Sequence, residues 1–122
     1  MEYYTQAIAI HRETGAKQNE GIALTNLGSA YQAQGHLDKA IALHAQALAV
    51  ARDIGHKQNE GIVLGNLGNS YGIQGRLDQA IAHYTQAIAI TRESGNKMSE
   101  GIHLGNVGQC LFMLQRLAEA ET

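Results

Sequence analysis

Gly61-Ile62-Val63-Leu64-Gly65-Asn66-Leu67-Gly68 decides the fold, because the chain carries this stretch three times. Forty residues earlier stands Gly21-Ile22-Ala23-Leu24-Thr25-Asn26-Leu27-Gly28, and forty later Gly101-Ile102-His103-Leu104-Gly105-Asn106-Val107-Gly108. Between residues 21–60 and 61–100, 21 of 40 aligned positions are identical, far more than shared composition produces. A fixed period of this length marks stacked supersecondary units, each leaving an apolar face for its neighbour to cover.

Each unit reads as two helices. Leu64, Leu67 and Tyr71 in its first half, and Ala80, Ile81, Tyr84, Ala87 and Ile88 in its second, recur at spacings of three and four, which place them on one helical face. Gly75 can take the left-handed conformation that ends the first helix, and Asp78 is the N-cap candidate for the second. Gly95, like Gly15 and Gly55, should stop the second helix. No alternating β-branched run supports a strand. Gly28, Gly68 and Gly108 each follow a core Leu or Val, so a missing side chain lets a partner helix approach. Ala40, Ala47, Ala80 and Ala87 do the same from the other side, and Tyr31 and Tyr71 fill the crossing. The stripe Gly61, Gly65, Gly68, Gly72 is read either as close approach of a neighbour or as a soft helix.

The pattern Leu24, Leu27, Gly28, Tyr31, Gly35, Ala40, His44, Ala47, repeated as Leu64, Leu67, Gly68, Tyr71, Gly75, Ala80, Tyr84, Ala87, resembles the tetratricopeptide repeat over essentially the whole chain. Its 40-residue period and Asn-Leu-Gly signature are similar to the subclass of kinesin light chains and Pins-type adaptors. The last copy departs from it, with Leu111 for Tyr, Leu114 for Gln and Gln115 for Gly. The resemblance implies an all-α solenoid of antiparallel helix pairs wound into a right-handed superhelix. The chain then divides into the second helix of a partial repeat (1–20), repeats 21–60 and 61–100, and a partial repeat (101–122), cut inside a second helix.

On the first helix, Ile62, Asn66, Asn69 and Ile73 face roughly opposite the core positions, and in a solenoid that side lines the concave groove. Ile22, Asn26, Ser29 and Ala33 match them in one copy, and Ile102, Asn106, Gln109 and Met113 in the other. The peptide-binding candidates are therefore Asn26, Asn66, Asn106, Ile62, Asn69, Ile102 and Gln109. An Asn amide both donates and accepts, so a ladder of them can read peptide main chain, and the resemblance implies the same role. The competing reading has each Asn capping or bridging neighbouring helices. No Lys or Arg falls on this face, which disfavours a clamp for a C-terminal carboxylate.

The ends are expected to be adhesive. Residues 1–10 align with 81–90, so the chain opens on a second helix without its partner and closes on a first helix without its cover. Tyr4 and Ile8 at one end and Leu111, Leu114 and Leu117 at the other are the candidates for self-association, head-to-tail or by exchange of ends. Alternatively, the chain is a stretch of a longer array or a regulatory segment of a larger multidomain protein.

Composition excludes several other classes. Hydrophobic residues make up 44% of the 122 and charged residues 16%, a globular balance, and the absence of Pro permits long helices. Nine Lys and Arg against eleven Asp and Glu, for a net charge of −2, leave no basic block for nucleic acid. The apolar runs are too short for a membrane span, and the first residues lack the pattern of a signal peptide. The lone Cys110 cannot form an internal disulfide and aligns with the small residues Ala30 and Ser70, so it reads as a packing thiol in a reducing, cytoplasmic setting. Six scattered histidines without ligand spacing give no metal site. The expectation is a non-catalytic scaffold, without cofactor, for a protein or peptide partner.

Overall fold

The computed structural model describes residues 2–121, which form six helices: α1 (Glu2–Thr14), α2 (Lys17–Ala33), α3 (Leu37–Ile54), α4 (Lys57–Ile73), α5 (Leu77–Ser94) and α6 (Lys97–Glu121). No strand occurs among the described residues. Each helix packs on the next, α2 with α3 and α4 with α5 as antiparallel hairpins, and α2 also meets α4 across the turn of the stack. The result is an α-solenoid.

Glycine sets the helix lengths. Gly15, Gly35, Gly55, Gly75 and Gly95 fall every twenty residues, all with φ between 71° and 82°. At Gly75 the glycine N–H donates to the Gly72 carbonyl at 3.0 Å and the following Arg76 N–H to the Tyr71 carbonyl at 2.9 Å, the paired bonds of a Schellman stop. The next place in the series is Gln115. A side chain there would cost roughly 1–2 kcal/mol in the left-handed conformation, and continuing the helix costs nothing. α6 therefore runs on for 25 residues, against 17 in α2 and α4. This corrects the expectation that the chain turns into a second helix before its last residues.

The starts of the helices differ from expectation as well. α5 is capped at Arg76, with no side-chain hydrogen bond, and Asp78 sits inside the first turn. Leu77 takes the first helical position because its side chain enters a cluster with Ala80, Tyr84 and Cys110. Asp78 acts there as an anion facing the positive helix end. Its counterpart Asp38 also accepts a hydrogen bond from Gln74 Nε2 at 2.9 Å, joining successive units.

Leu24, Leu27, Leu64 and Leu67 are buried, and so are Ala40, Ala47, Ala80 and Ala87, none of which is measurably exposed. Tyr31 and Tyr71 are half-buried beside them, and Tyr71 stacks on the His83 ring at 5.0 Å between centroids. The glycine stripe of α4 is a row of close approaches. A methyl placed on Gly61 would lie 3.1 Å from Ile90, on Gly65 2.7 Å from the His103 ring, and on Gly68 2.7 Å from the Tyr84 ring. Gly72 faces Ala80 at an ordinary 3.9 Å. Gly28 meets the His44 ring in the same way, at 2.8 Å. Gly108, expected to do likewise, has nothing within 4 Å, because no helix among the described residues covers that face of α6.

One clasp recurs at every junction between units. Arg12, Arg52 and Arg92, each near the end of a second helix, pair through Nε with Glu20, Glu60 and Glu100 in the first turn of the next helix, at 3.0, 3.1 and 2.8 Å. The Arg92 hydrogen bond holds the Glu100 carboxyl below the usual carboxylate range. These glutamates, spaced by the period, thus fasten one unit to the next.

Candidate functional site

The first helices α2, α4 and α6 line one side of the stack, and three clefts run along it. The cleft between α2 and α4, about 390 Å³, is lined by Ile22, Asn26 and Ile62 among others. The largest, about 640 Å³ between α4 and α6, holds Ile62, Asn66, Asn69, Ile102, His103 and Asn106. A third, about 420 Å³, continues past Asn69 and Asn106 to Ile73, Gln109 and Met113. All seven peptide-binding candidates line these clefts, because steps of three and four along a helix keep to one face. Ile62 bridges the first and second clefts, and Asn69 and Asn106 the second and third.

The four asparagines are not equivalent. Asn69 Oδ1 accepts a hydrogen bond from the Tyr84 hydroxyl, which fixes its amide against the core. Burial, with a smaller contribution from Cys110, pushes the Tyr84 phenol up to about 12, so at neutral pH it stays a donor. Asn26, Asn66 and Asn106 make no side-chain hydrogen bond to any described residue, and no cap or bridge occupies them. Beside them the aliphatic side chains are uncovered, Ile62 being 49% exposed and Ile102 57%. At one edge stands Lys57, a cation on a surface expected to carry none. Its Nζ lies 3.5 Å from Glu60 Oε1, which offsets the charge.

One histidine was not legible as part of this architecture. His103 replaces Ala23 and Val63 of the other copies, and its ring enters the space left by Gly65, where copy one has Thr25. The exchange of sizes between the two positions was the available signal. The ring leans on Tyr84 at 6.2 Å, and its Nδ1 is buried without a hydrogen-bond partner. Burial holds its pKa below the ordinary value. His44 takes the place of Tyr84 in the first complete unit. It is fully enclosed, neither ring nitrogen has a partner, and burial lowers its pKa to about 4.

The self-association candidates separate into two groups. Ile8 belongs to the chain's own core, buried in a cluster with Ala23, Leu24 and Leu27 of α2. Leu114 is half-buried against the α5 cluster. Both are turned inward because α1 and α6 each have one packed face. Tyr4, Leu111 and Leu117 remain exposed. Cys110 is buried, and burial raises its thiol pKa. No group of three or more His, Cys, Asp or Glu side chains able to hold a metal occurs among the described residues, nor any helix long and apolar enough to cross a membrane.

A tetratricopeptide repeat family model matches residues 2–53 and 59–122. Among solved structures, aspartyl phosphate phosphatase F from Bacillus subtilis is similar, with 21% identity and a TM-score of 0.87 over 98% of this chain and 32% of that one. BtubC (BKLC) from P. vanneervenii is similar at 19% identity and a TM-score of 0.70, over 98% of this chain and 56% of that one. The chain thus spans a third to a little over half of these neighbours, and at such identities the likeness is one of fold. No curated protein sequence matches it at a significant level.

Proposed function

The chain belongs to the tetratricopeptide repeat family and is a helical-repeat protein-interaction module, and on that premise we propose that its concave groove holds an extended or helical segment of a partner protein. The observation that carries this is the pairing, in one cleft, of the uncommitted amides of Asn66 and Asn106 with the uncovered side chains of Ile62 and Ile102. An amide that can donate and accept reads main chain, and the adjacent aliphatic surface gains from being covered. Asn26 extends the same arrangement to the first cleft. Asn69 and Gln109 line its far end, Asn69 as a support held by Tyr84.

Selecting a displayed peptide library on the 122-residue chain tests the proposal. With each lost hydrogen bond worth about 0.5–1.5 kcal/mol, Asn66→Ala with Asn106→Ala should weaken the selected peptides by roughly tenfold at unchanged helical circular dichroism. Selected peptides that bind the double variant as tightly as the wild type would refute the groove assignment.

We read the chain as a non-catalytic scaffold in a reducing, cytoplasmic setting, on its repeat pattern and its single buried thiol. The net charge of −2 argues for protein over nucleic acid as partner. Units 21–60 and 61–100 are the complete repeats in this reading. Phosphatase activity belongs to the named neighbour.

A further inference from the structure

Within the stack, a first helix is covered by its second helix through a fixed set of contacts. Gly68 receives the Tyr84 ring and Gly61 receives Ile90. In the first complete unit Lys17 also pairs with Asp53 at 2.9 Å, whereas in the second Lys57 pairs with Glu60 of its own helix. Successive second helices are joined by Arg12 Nη2 donating to Gln46 Oε1 and Arg52 Nη2 to Gln86 Oε1, at 3.2 and 3.0 Å.

On α6 the receiving half of this set is open. Gly101 and Gly108 have nothing within 4 Å. Leu104 is 44% exposed, whereas Leu64, its counterpart inside the stack, is 1% exposed. Lys97 stands where Lys17 does, and Arg92 engages Glu100 through Nε with no glutamine beyond it.

The complementary half lies uncovered on α1. Tyr4, Gln6, Ile10 and Glu13 occupy the places of Tyr84, Gln86, Ile90 and Glu93. Tyr4 is 38% exposed and Ile10 56%.

We propose that α1 of a second copy of this chain seats on the open face of α6, as α5 seats on α4, with Tyr4 in the Gly108 notch. Ile10 then fills the space at Gly101, Gln6 accepts from Arg92, and Glu13 pairs with Lys97. Shape, hydrogen bonding and charge sign all agree with this occupant, and every contact has a counterpart already made inside the molecule. The contact is heterologous, so each added copy presents a fresh α6 and assembly is open-ended. It leaves the concave clefts free and is independent of the groove reading.

Sedimentation velocity on the 122-residue chain over a concentration series tests this. The mean mass should rise above the 13.1 kDa of one chain as concentration increases. Gly108→Leu closes the notch where nothing in the monomer would be displaced, and blocking such an aromatic anchor should weaken association by roughly thirtyfold. Glu13→Lys and Lys97→Glu should each weaken association, and mixing the two single variants should restore it, because both junctions between unlike copies then pair opposite charges. A mass of one chain throughout the series, or association that Gly108→Leu leaves unchanged, would overturn the proposal.

Discussion

His44 makes the first complete unit acid-sensitive in a way that can be calculated. Its ring is fully enclosed beneath Gly28, with both nitrogens unpartnered, and its pKa is lowered to about 4 from an ordinary 6.5. The unfolded chain therefore binds this proton more readily than the folded one. Stability is complete above pH 6.5 and is lost as pH falls through the interval down to 4. Linkage between these two values gives a loss of about 2 kcal/mol at pH 5 and about 3 kcal/mol at pH 4.

Acid also titrates Glu100 and His103, so the informative quantity is a difference between proteins. The second unit provides the comparison, since Tyr84 occupies the same site over Gly68 and its hydroxyl is satisfied by Asn69. Moving that pair into the first unit, as His44→Tyr with Ser29→Asn, removes the titrating ring and supplies a hydrogen-bond partner. Urea unfolding followed by circular dichroism at pH 7.5, 6.5, 5 and 4 should show the wild type losing about 2 kcal/mol more than the variant between pH 7.5 and 5. Parallel loss in the two proteins would mean that the ring is solvated or already protonated in the fold, and the reasoning would fail.

The two ends of the glycine series give an opposed pair of outcomes. Gly68→Ala drives a methyl to 2.7 Å from the Tyr84 ring and should cost about 1–3 kcal/mol through overpacking; Gly108→Ala meets nothing and should gain about 0.5–1 kcal/mol from helix propensity, both read from urea midpoints. Gln115→Gly restores the missing stop, so amide exchange over residues 116–121 should speed up while the rest of α6 keeps its protection. Tyr84→Phe releases Asn69 and leaves its carbonyl oxygen without this donor, and denaturant unfolding should register a loss of about 1 kcal/mol.

How much of this was legible in the sequence depends on whether the deciding physics was local. A positive φ favours one residue type, so Gly15, Gly55, Gly75 and Gly95 announced their helix ends directly, and the 3.6-residue period placed Ile62, Asn66 and Asn69 on one face before any coordinates. Gln115 carries no comparable signal, because a helix that continues looks like any other helix; only the missing member of the twenty-residue series marked it. The N-cap was misplaced at Asp78 because burial of Leu77 outweighed the capping preference. Ile8 lay hidden for the same reason, since a helix with one packed face and one open face offers apolar residues to both. Least legible was the pairing of His103 with Gly65, which no single helix specifies. The enlargement on α6 and the reduction on α4 make sense only together, and each looks like a defect by itself. The same logic sets Tyr4 against Gly108: a ring lacking its notch and a notch lacking its ring stand on opposite ends of one molecule, and the fit repeated at His44 and Tyr84 is the physical ground for expecting two copies to join there.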